Sequence, residues 1–149
     1  MQSCLVLIVC SLLLVHSMNV VEDVMRQENQ LLRCWEQADV DSPSSGYTLS
    51  KPVYRLCSYM PHPHDYSKFY VNGVDEQSDD YTTVKTIFSE SDENYAVLNI
   101  CLQEALAFFG PSHAAQTALR CLCKRDGCNV PKPLIEFLDF NKKVIPTYH

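Results

Sequence analysis

Six cysteines that follow an uncharged apolar leader constrain the fold of this chain more than any other feature. Residues 1–17 contain no Asp, Glu, Lys or Arg, and Leu5–Val15 is mostly apolar. Such a run is too short to span a membrane as a helix, which needs about 20 apolar residues, and it is typical of a cleaved signal peptide. We therefore predict a signal peptide over 1–17 and a secreted, extracellular mature chain from residue 18.

The cysteines of the mature chain predict disulfides. Two cysteines leave with the signal peptide, and six remain: Cys34, Cys57, Cys101, Cys121, Cys123 and Cys128. An even set in an oxidising compartment favours three bridges, although six cysteines allow 15 pairings. A zinc site is the competing interpretation, but the Cys121-x-Cys123 spacing differs from the usual C-x2-4-C pairs and no His stands at ligand spacing.

Length and charge restrict the class of partner. The chain has 149 residues, enough for a single modest domain, and a net charge of −6. An acidic protein is a poor ligand for nucleic acid or for an anionic membrane surface. The charged tail over 130–149 argues against a lipid anchor. An acidic stretch over 75–93 is either a solvated loop or a face for a basic partner.

Catalytic and metal-binding motifs are weak. The sequence His62-Pro63-His64-Asp65 is the one cluster that hints at a metal, but two His and one Asp form an incomplete zinc ligand set. There is no G-x-S-x-G motif and no unpaired thiol in the mature chain. We therefore predict no enzymatic activity, no catalytic residue, no metal and no cofactor.

Hydrophobic patterns predict a mixture of strands and one helix. Residues 32–36, 52–60 and 81–88 read as strands, and Asn72-Gly73 is typical of a hairpin turn. A helix is predicted over 92–109 because five apolar residues recur at helical spacing. Those residues are Tyr95, Leu98, Leu102, Ala105 and Phe109.

Two segments resemble the three-finger superfamily, which includes lymphocyte-antigen, urokinase-receptor-like and snake-toxin-like proteins. The segment 120–129, RCLCKRDGCN, is similar to the terminal signature of that family, in which the last two cysteines enclose four residues and precede an Asn. Leu32-Arg33-Cys34-Trp35 resembles the family's first strand.

The resemblance implies a small, disulfide-rich, mainly β domain over 32–129. The sequence adds an N-terminal arm at 18–31, a tail at 130–149 and the predicted helix inserted at 92–109, which the basic three-finger fold lacks. A disulfide-stapled α+β fold is the alternative. The six cysteines match six of the eight family positions, and the two missing positions are bonded to each other in the family. The implied pairs are Cys34–Cys57, Cys101–Cys121 and Cys123–Cys128.

Asn129 and Gly127 are predicted to have structural roles, and the spacing of Cys121 and Cys123 raises a geometric problem. The resemblance implies that Asn129 closes the palm by bonding its side-chain amide to backbone groups. The turn before Cys128 predicts an unusual φ at Gly127. Because Leu122 separates two cysteines that would share one face of a regular strand, a β-bulge is expected there to send the two bridges apart.

The resemblance implies a non-enzymatic binding module that acts on an extracellular receptor or another cell-surface protein. Receptors of the ion-channel type and growth-factor receptors are partners of this kind. A secreted cystine-knot-like signalling ligand is the alternative, suggested by Cys121-Leu122-Cys123. A small secreted hydrolase is a third interpretation, which the absence of hydrolase motifs from the sequence disfavours.

Overall fold

A computed structural model describes residues 30–75, 81–90, 95–106 and 116–142. The predicted signal peptide, most of the predicted N-terminal arm and residues 143–149 lie outside the described residues. In chain order the elements are β1 (Trp35–Gln37), β2 (Tyr47–Leu49), β3 (Cys57–His62), β4 (Asp65–Gly73), α1 (Thr82–Ser89), β5 (Asn99–Leu106), β6 (Gln116–Cys123) and α2 (Leu134–Asn141). The prediction of a small, mainly β domain is therefore confirmed.

The strands form two antiparallel sheets. β1 pairs with β2, with Trp35 opposite Leu49. The other four strands pair in the order β4-β3-β6-β5. Each strand therefore pairs with its neighbour in the chain, and the sheets consist of three consecutive hairpins, β1–β2, β3–β4 and β5–β6.

The four-stranded sheet is covered by apolar residues on both faces. Cys121 packs on one face against a cluster to which α2 contributes Leu134 and Phe137. Leu122 points to the opposite face, where α1 contributes Phe88. Successive residues of a strand point to opposite faces, so the end of β6 at Cys121–Cys123 is buried on both sides.

The predicted helix over 92–109 is wrong, because residues 99–106 form strand β5. β5 pairs with β6 over eight positions, from Asn99 opposite Cys123 to Leu106 opposite Gln116. Its exposure alternates with a period of two: Ile100 and Leu102 are half-buried, whereas Cys101 and Gln103 are exposed. Pairing with β6 buries one side of this segment, and this pairing outweighs the helical spacing of its apolar residues.

The predicted strand over 81–88 is also wrong, because α1 occupies residues 82–89. Tyr81, Val84 and Phe88 recur at helical spacing and pack against one face of the sheet. Lys85 and Thr86 lie on the exposed side of the helix. The β-branched composition of this segment therefore counts for less than its amphipathic pattern.

The turn predicted at Asn72-Gly73 is wrong as well. Both residues lie inside β4, opposite Ser58 and Cys57, and the chain reverses instead at Pro63-His64 between β3 and β4. The glycine serves a packing contact, since a Cβ at residue 73 would lie 2.2 Å from the ring of Tyr54. Gly73 therefore allows the aromatic ring to rest directly on the strand.

The bulge expected near Leu122 is not needed. β6 keeps a regular register from Gln116 to Cys123, so Cys121 and Cys123 do share one face. Their bridges diverge because Cys121 bonds sideways to Cys101 on β5, whereas Cys123 bonds to Cys128 beyond the end of the strand.

Helix α2 packs into the domain, in contrast to the tail that the sequence predicts over 130–149. Phe137 is fully buried, and its ring stacks on that of Tyr59 with centroids 3.9 Å apart. The Nδ2 atom of Asn141 donates to the carbonyl of Cys128 at 2.9 Å and ties the end of α2 to the terminal disulfide loop. The packed domain therefore extends beyond Asn129 to at least residue 141.

Candidate binding surface on a disulfide-bonded base

The three disulfides gather where the hairpins begin. The structure joins Cys34 to Cys57, Cys101 to Cys121 and Cys123 to Cys128, the same pairs that the resemblance implies. Cys34 immediately precedes β1, Cys57 begins β3, and Cys123 ends β6 beside the start of β5. We call this end of the molecule, with its three disulfides and Asn129, the base.

Asn129 joins strands of both sheets through its side chain. Its Oδ1 atom accepts from the amide of Trp35 at 2.9 Å, and its Nδ2 atom donates to the carbonyl of the same residue at 3.0 Å. Nδ2 also lies 3.1 Å from the carbonyl of Ser58 and 3.2 Å from that of Asn72. One buried amide therefore holds β1, β3 and β4 together.

The terminal disulfide loop docks against the start of β1. Gly127 has φ +64°, as the sequence predicts, and its amide donates to the carbonyl of Arg33 at 2.8 Å. In return, the backbone amide of Arg33 donates to Oδ1 of Asp126 at 2.7 Å, and its Nε donates to Oδ2 at 2.9 Å. The guanidinium and this carboxylate pair electrostatically, and the hydrogen bond raises the pKa of Arg33.

Four aromatic or imidazole side chains are exposed on the β3–β4 hairpin, three of them at or near its turn and Tyr70 further along β4, opposite Met60. We call His62, His64, Tyr66 and Tyr70 the tip surface. Tyr66 is 56% exposed and Tyr70 is 43% exposed, although both belong to a strand of the main sheet. Tyrosine supplies a large apolar contact and a polar hydroxyl at low entropic cost, so exposed tyrosines on a supported strand suit protein recognition.

Local hydrogen bonds shape the turn that carries the tip surface. Asp65 accepts from the amide of Ser67 at 3.1 Å and from its hydroxyl at 2.6 Å, and it forms an ion pair with Lys68. These contacts, the hydroxyl first, hold the pKa of the Asp65 carboxyl below its ordinary value. The carboxylate thus stays ionised and stabilises the turn at neutral pH.

The two imidazoles of the tip surface lie close together at the turn of the β3–β4 hairpin. Their ring centroids lie 6.1 Å apart, and the backbone amide of His64 donates to Nδ1 of His62 at 3.3 Å. Across the described ranges, no group of three or more His, Cys, Asp or Glu side chains is arranged to hold a metal ion. In the same part of the chain, neither helix is long and apolar enough to cross a membrane.

Sequence analysis singled out His62 and His64 only as an incomplete metal ligand set, and it missed Tyr66, Tyr70 and the packing of α2. Tyr66 and Tyr70 lie in β4. The turn predicted at Asn72-Gly73 falls inside this strand, so the strand was not predicted at its full length. The run from Asp65 to Gly73 carries Phe69 and Val71 on its packed side, and this alternation with exposed Tyr70 was the available signal. For α2, the signal was the apolar pair Leu134 and Phe137 at helical spacing.

Comparison with known proteins places the whole of this architecture in one family. Residues 19–142 match the family described as "Family of unknown function (DUF5354)". The chain belongs to this family. All three disulfides, Asn129 and the tip surface lie inside the DUF5354 match, whereas the predicted signal peptide lies outside it.

Two relatives of the DUF5354 chain come from Caenorhabditis elegans. Uncharacterized protein C02B8.3 is 59% identical over 129 residues, which cover 87% of this chain and 97% of that protein. Uncharacterized protein C02B8.7 is 50% identical over 50 residues, which cover 34% of this chain and 96% of that protein. No solved structure matches the chain.

Proposed function

We propose that this chain is a secreted, non-enzymatic binding module of the three-finger type, which acts on an extracellular receptor or another cell-surface protein. One observation carries the proposal: three consecutive hairpins start from a base held by three disulfides and Asn129. A rigid base lets hairpin ends bind a partner without a large loss of conformational entropy. α1 and α2 are additions to the basic three-finger fold.

The arrangement of the bridges disfavours the cystine-knot alternative. The pairs 34–57, 101–121 and 123–128 follow one another along the chain without overlapping. A knot needs two bridges that close a ring with the segments between them, and a third bridge that passes through the ring. Sequential bridges cannot close such a ring, so their order favours a module built from separate hairpins.

Secretion is tested by expression in animal cells. The protein should accumulate in the medium, begin at Met18 and keep its mass after treatment with an N-glycosidase, because the chain has no Asn-x-Ser/Thr site. Retention in the membrane fraction after carbonate extraction would refute secretion in this form.

Binding is tested with labelled protein on intact cells of the organism that encodes the chain. We expect saturable binding that falls at least about tenfold in a Tyr66→Ser/Tyr70→Ser variant, since buried interface tyrosines often contribute 2 kcal/mol or more. Ile135→Ser is the matched control, because Ile135 is 67% exposed on α2 and is not one of the four residues of the tip surface. Equal binding by the two variants would exclude the tip surface as the contact.

A further inference from the structure

The three bridges differ in how far a thiol can reach them. Four of the cysteines, Cys34, Cys57, Cys123 and Cys128, are buried together with Leu32 in one apolar cluster. Cys121 is buried in the cluster beneath α2. Cys101 alone is exposed, because it lies on β5 at the edge of the four-stranded sheet and on the side away from α1.

We propose that the Cys101–Cys121 bridge is a thiol–disulfide exchange site, at which a small extracellular thiol attaches to Cys101. The incoming thiolate attacks Sγ of Cys101 and forms a new S–S bond there. The Cys101–Cys121 bond breaks, and its electron pair leaves on Sγ of Cys121, which takes up a proton. One disulfide is lost and one is formed, so the step needs no other oxidant or reductant.

Burial decides which sulfur is attacked. A thiolate must approach the target sulfur in line with the bond that breaks, so access controls the reaction. Cys121 is fully buried in the cluster that contains Tyr59, Val71 and Phe137, so a thiolate in solvent cannot reach its sulfur. The adduct is therefore expected on Cys101, with Cys121 released as a thiol whose apolar surroundings keep it protonated.

The fold does not depend on this bridge to hold its two strands together. β5 and β6 pair at eight positions in all, two on one side of the Cys101–Cys121 pair and five on the other. Leu122 and Ile100 pack on the face opposite the bridge. Exchange should consequently occur in the native state, whereas reaction at the other two bridges requires the base to open.

The test uses the whole mature protein and reduced glutathione as the probe. After a short incubation under native conditions the reaction is quenched with acid, since Cys121 stays beside Cys101 and would reverse the exchange. Peptide mapping without reduction should place glutathione on Cys101 and a free thiol on Cys121. Adducts at the other four cysteines should form at least about tenfold more slowly, because they need prior opening.

Two single variants separate exposure from folding. Cys121→Ser leaves Cys101 as a free thiol, which should react with iodoacetamide under native conditions about as fast as a small thiol. Cys101→Ser leaves Cys121 free, and its reaction should be at least about tenfold slower until denaturant is added. The parent protein supplies the decisive measurement if either variant fails to fold.

Three results would overturn the proposal. The first is an adduct on Cys121 rather than Cys101. The second is equal reactivity of all three bridges. The third is a reaction rate for the Cys101–Cys121 bridge that rises with denaturant in step with global unfolding. None of these results bears on receptor binding, so the exchange site and the proposed function fail independently.

Discussion

At the scale of single residues, Asn129 shows how one polar side chain joins the two sheets. Backbone groups at the start of β1 and inside β3 and β4 cannot all pair with one another, because these strands belong to different sheets. The buried amide of Asn129 accepts one backbone hydrogen and faces three carbonyl oxygens. A buried polar group without a partner would cost about 1–3 kcal/mol, so this arrangement leaves little freedom of substitution.

The first prediction concerns this amide. Asn129→Asp keeps the acceptor but replaces the NH2 group by an oxygen that faces three carbonyls, so the free energy of unfolding should fall by about 3 kcal/mol or more. Asn99→Asp is the control, because Asn99 is only half-buried, and it should cost under about 1 kcal/mol. Urea unfolding at pH 7 measures both. A loss in Asn129→Asp no larger than the control's would contradict the role assigned to the amide.

Two phenols make stability depend on pH in the alkaline range. Burial, with a smaller contribution from Tyr47, raises the pKa of Tyr59 to about 12, and its hydroxyl donates to the carbonyl of Lys132 at 2.8 Å. The hydrogen bond to Glu36, followed by burial, raises the pKa of Tyr54 to about 12. Both phenols therefore ionise first in the unfolded chain, and the stability they contribute is present below pH 10 and lost as pH rises towards 12.

The second prediction follows from this sign. Between pH 10 and 12 the free energy of unfolding should fall more steeply in the parent than in Tyr59→Phe or Tyr54→Phe, by up to about 1.4 kcal/mol per pH unit for each phenol. Tyr95→Phe, which removes an exposed phenol, is the control variant. Denaturant titrations at fixed pH values measure the slopes. Identical slopes in all four proteins would mean that folding does not raise the pKa of Tyr59 or Tyr54.

At the scale of elements, sequence patterns predicted the strands around the cysteines better than the segment between Cys57 and Cys123. β1 and β3 lie close to the predicted strands at 32–36 and 52–60. The segment predicted as a strand forms helix α1, and the segment predicted as a helix forms strand β5. Each segment has apolar residues at both helical and strand spacing, and only the face that packs in the folded protein selects one of them. Ile100 packs with Leu122, its registered partner, and no local pattern indicates that partner.

The base was more predictable than the tip surface. The cysteine pairs and the role of Asn129 are implied by the family resemblance, and Gly127 follows from turn chemistry that needs no distant contact. Exposure of Tyr66 and Tyr70 depends instead on where β4 begins. That start is set by Pro63-His64 and by the hydrogen bonds of Asp65, whereas the stronger turn signal at Asn72-Gly73 serves the contact with Tyr54.

The third prediction tests whether α2 belongs to the packed domain. Phe137→Ala removes a fully buried ring that stacks on Tyr59, so it should lower the free energy of unfolding by about 3–5 kcal/mol. Ile135→Ala lies two residues away on the exposed side of the same helix and should stay within about 0.5 kcal/mol of the parent. Thermal and urea unfolding measure both variants. Equal, small effects would mean that α2 only rests on the surface.

At the scale of the whole molecule, the three bridges stabilise different parts of the fold. Cys34–Cys57 joins the two sheets, since Cys34 precedes β1 and Cys57 begins β3. Cys101–Cys121 joins two strands that are already neighbours, and Cys123–Cys128 closes a short loop. The first two bridges span 23 and 20 residues, so chain entropy assigns both a similar effect on the unfolded state, about 3 kcal/mol.

The fourth prediction uses that similarity. Cys34→Ala/Cys57→Ala should lower the free energy of unfolding by about 2–5 kcal/mol, as is usual for removing a native bridge from a small secreted domain. Cys101→Ala/Cys121→Ala should lower the free energy of unfolding by less. The two bridges have nearly equal entropic effects on the unfolded chain, so the difference comes from the native state. There, only Cys34→Ala/Cys57→Ala removes two buried sulfurs at a junction between sheets. Urea titrations of both variants, at equal protein concentration, give the comparison. A Cys34→Ala/Cys57→Ala protein that unfolds like the parent would mean that Asn129 and the apolar clusters alone hold the sheets together.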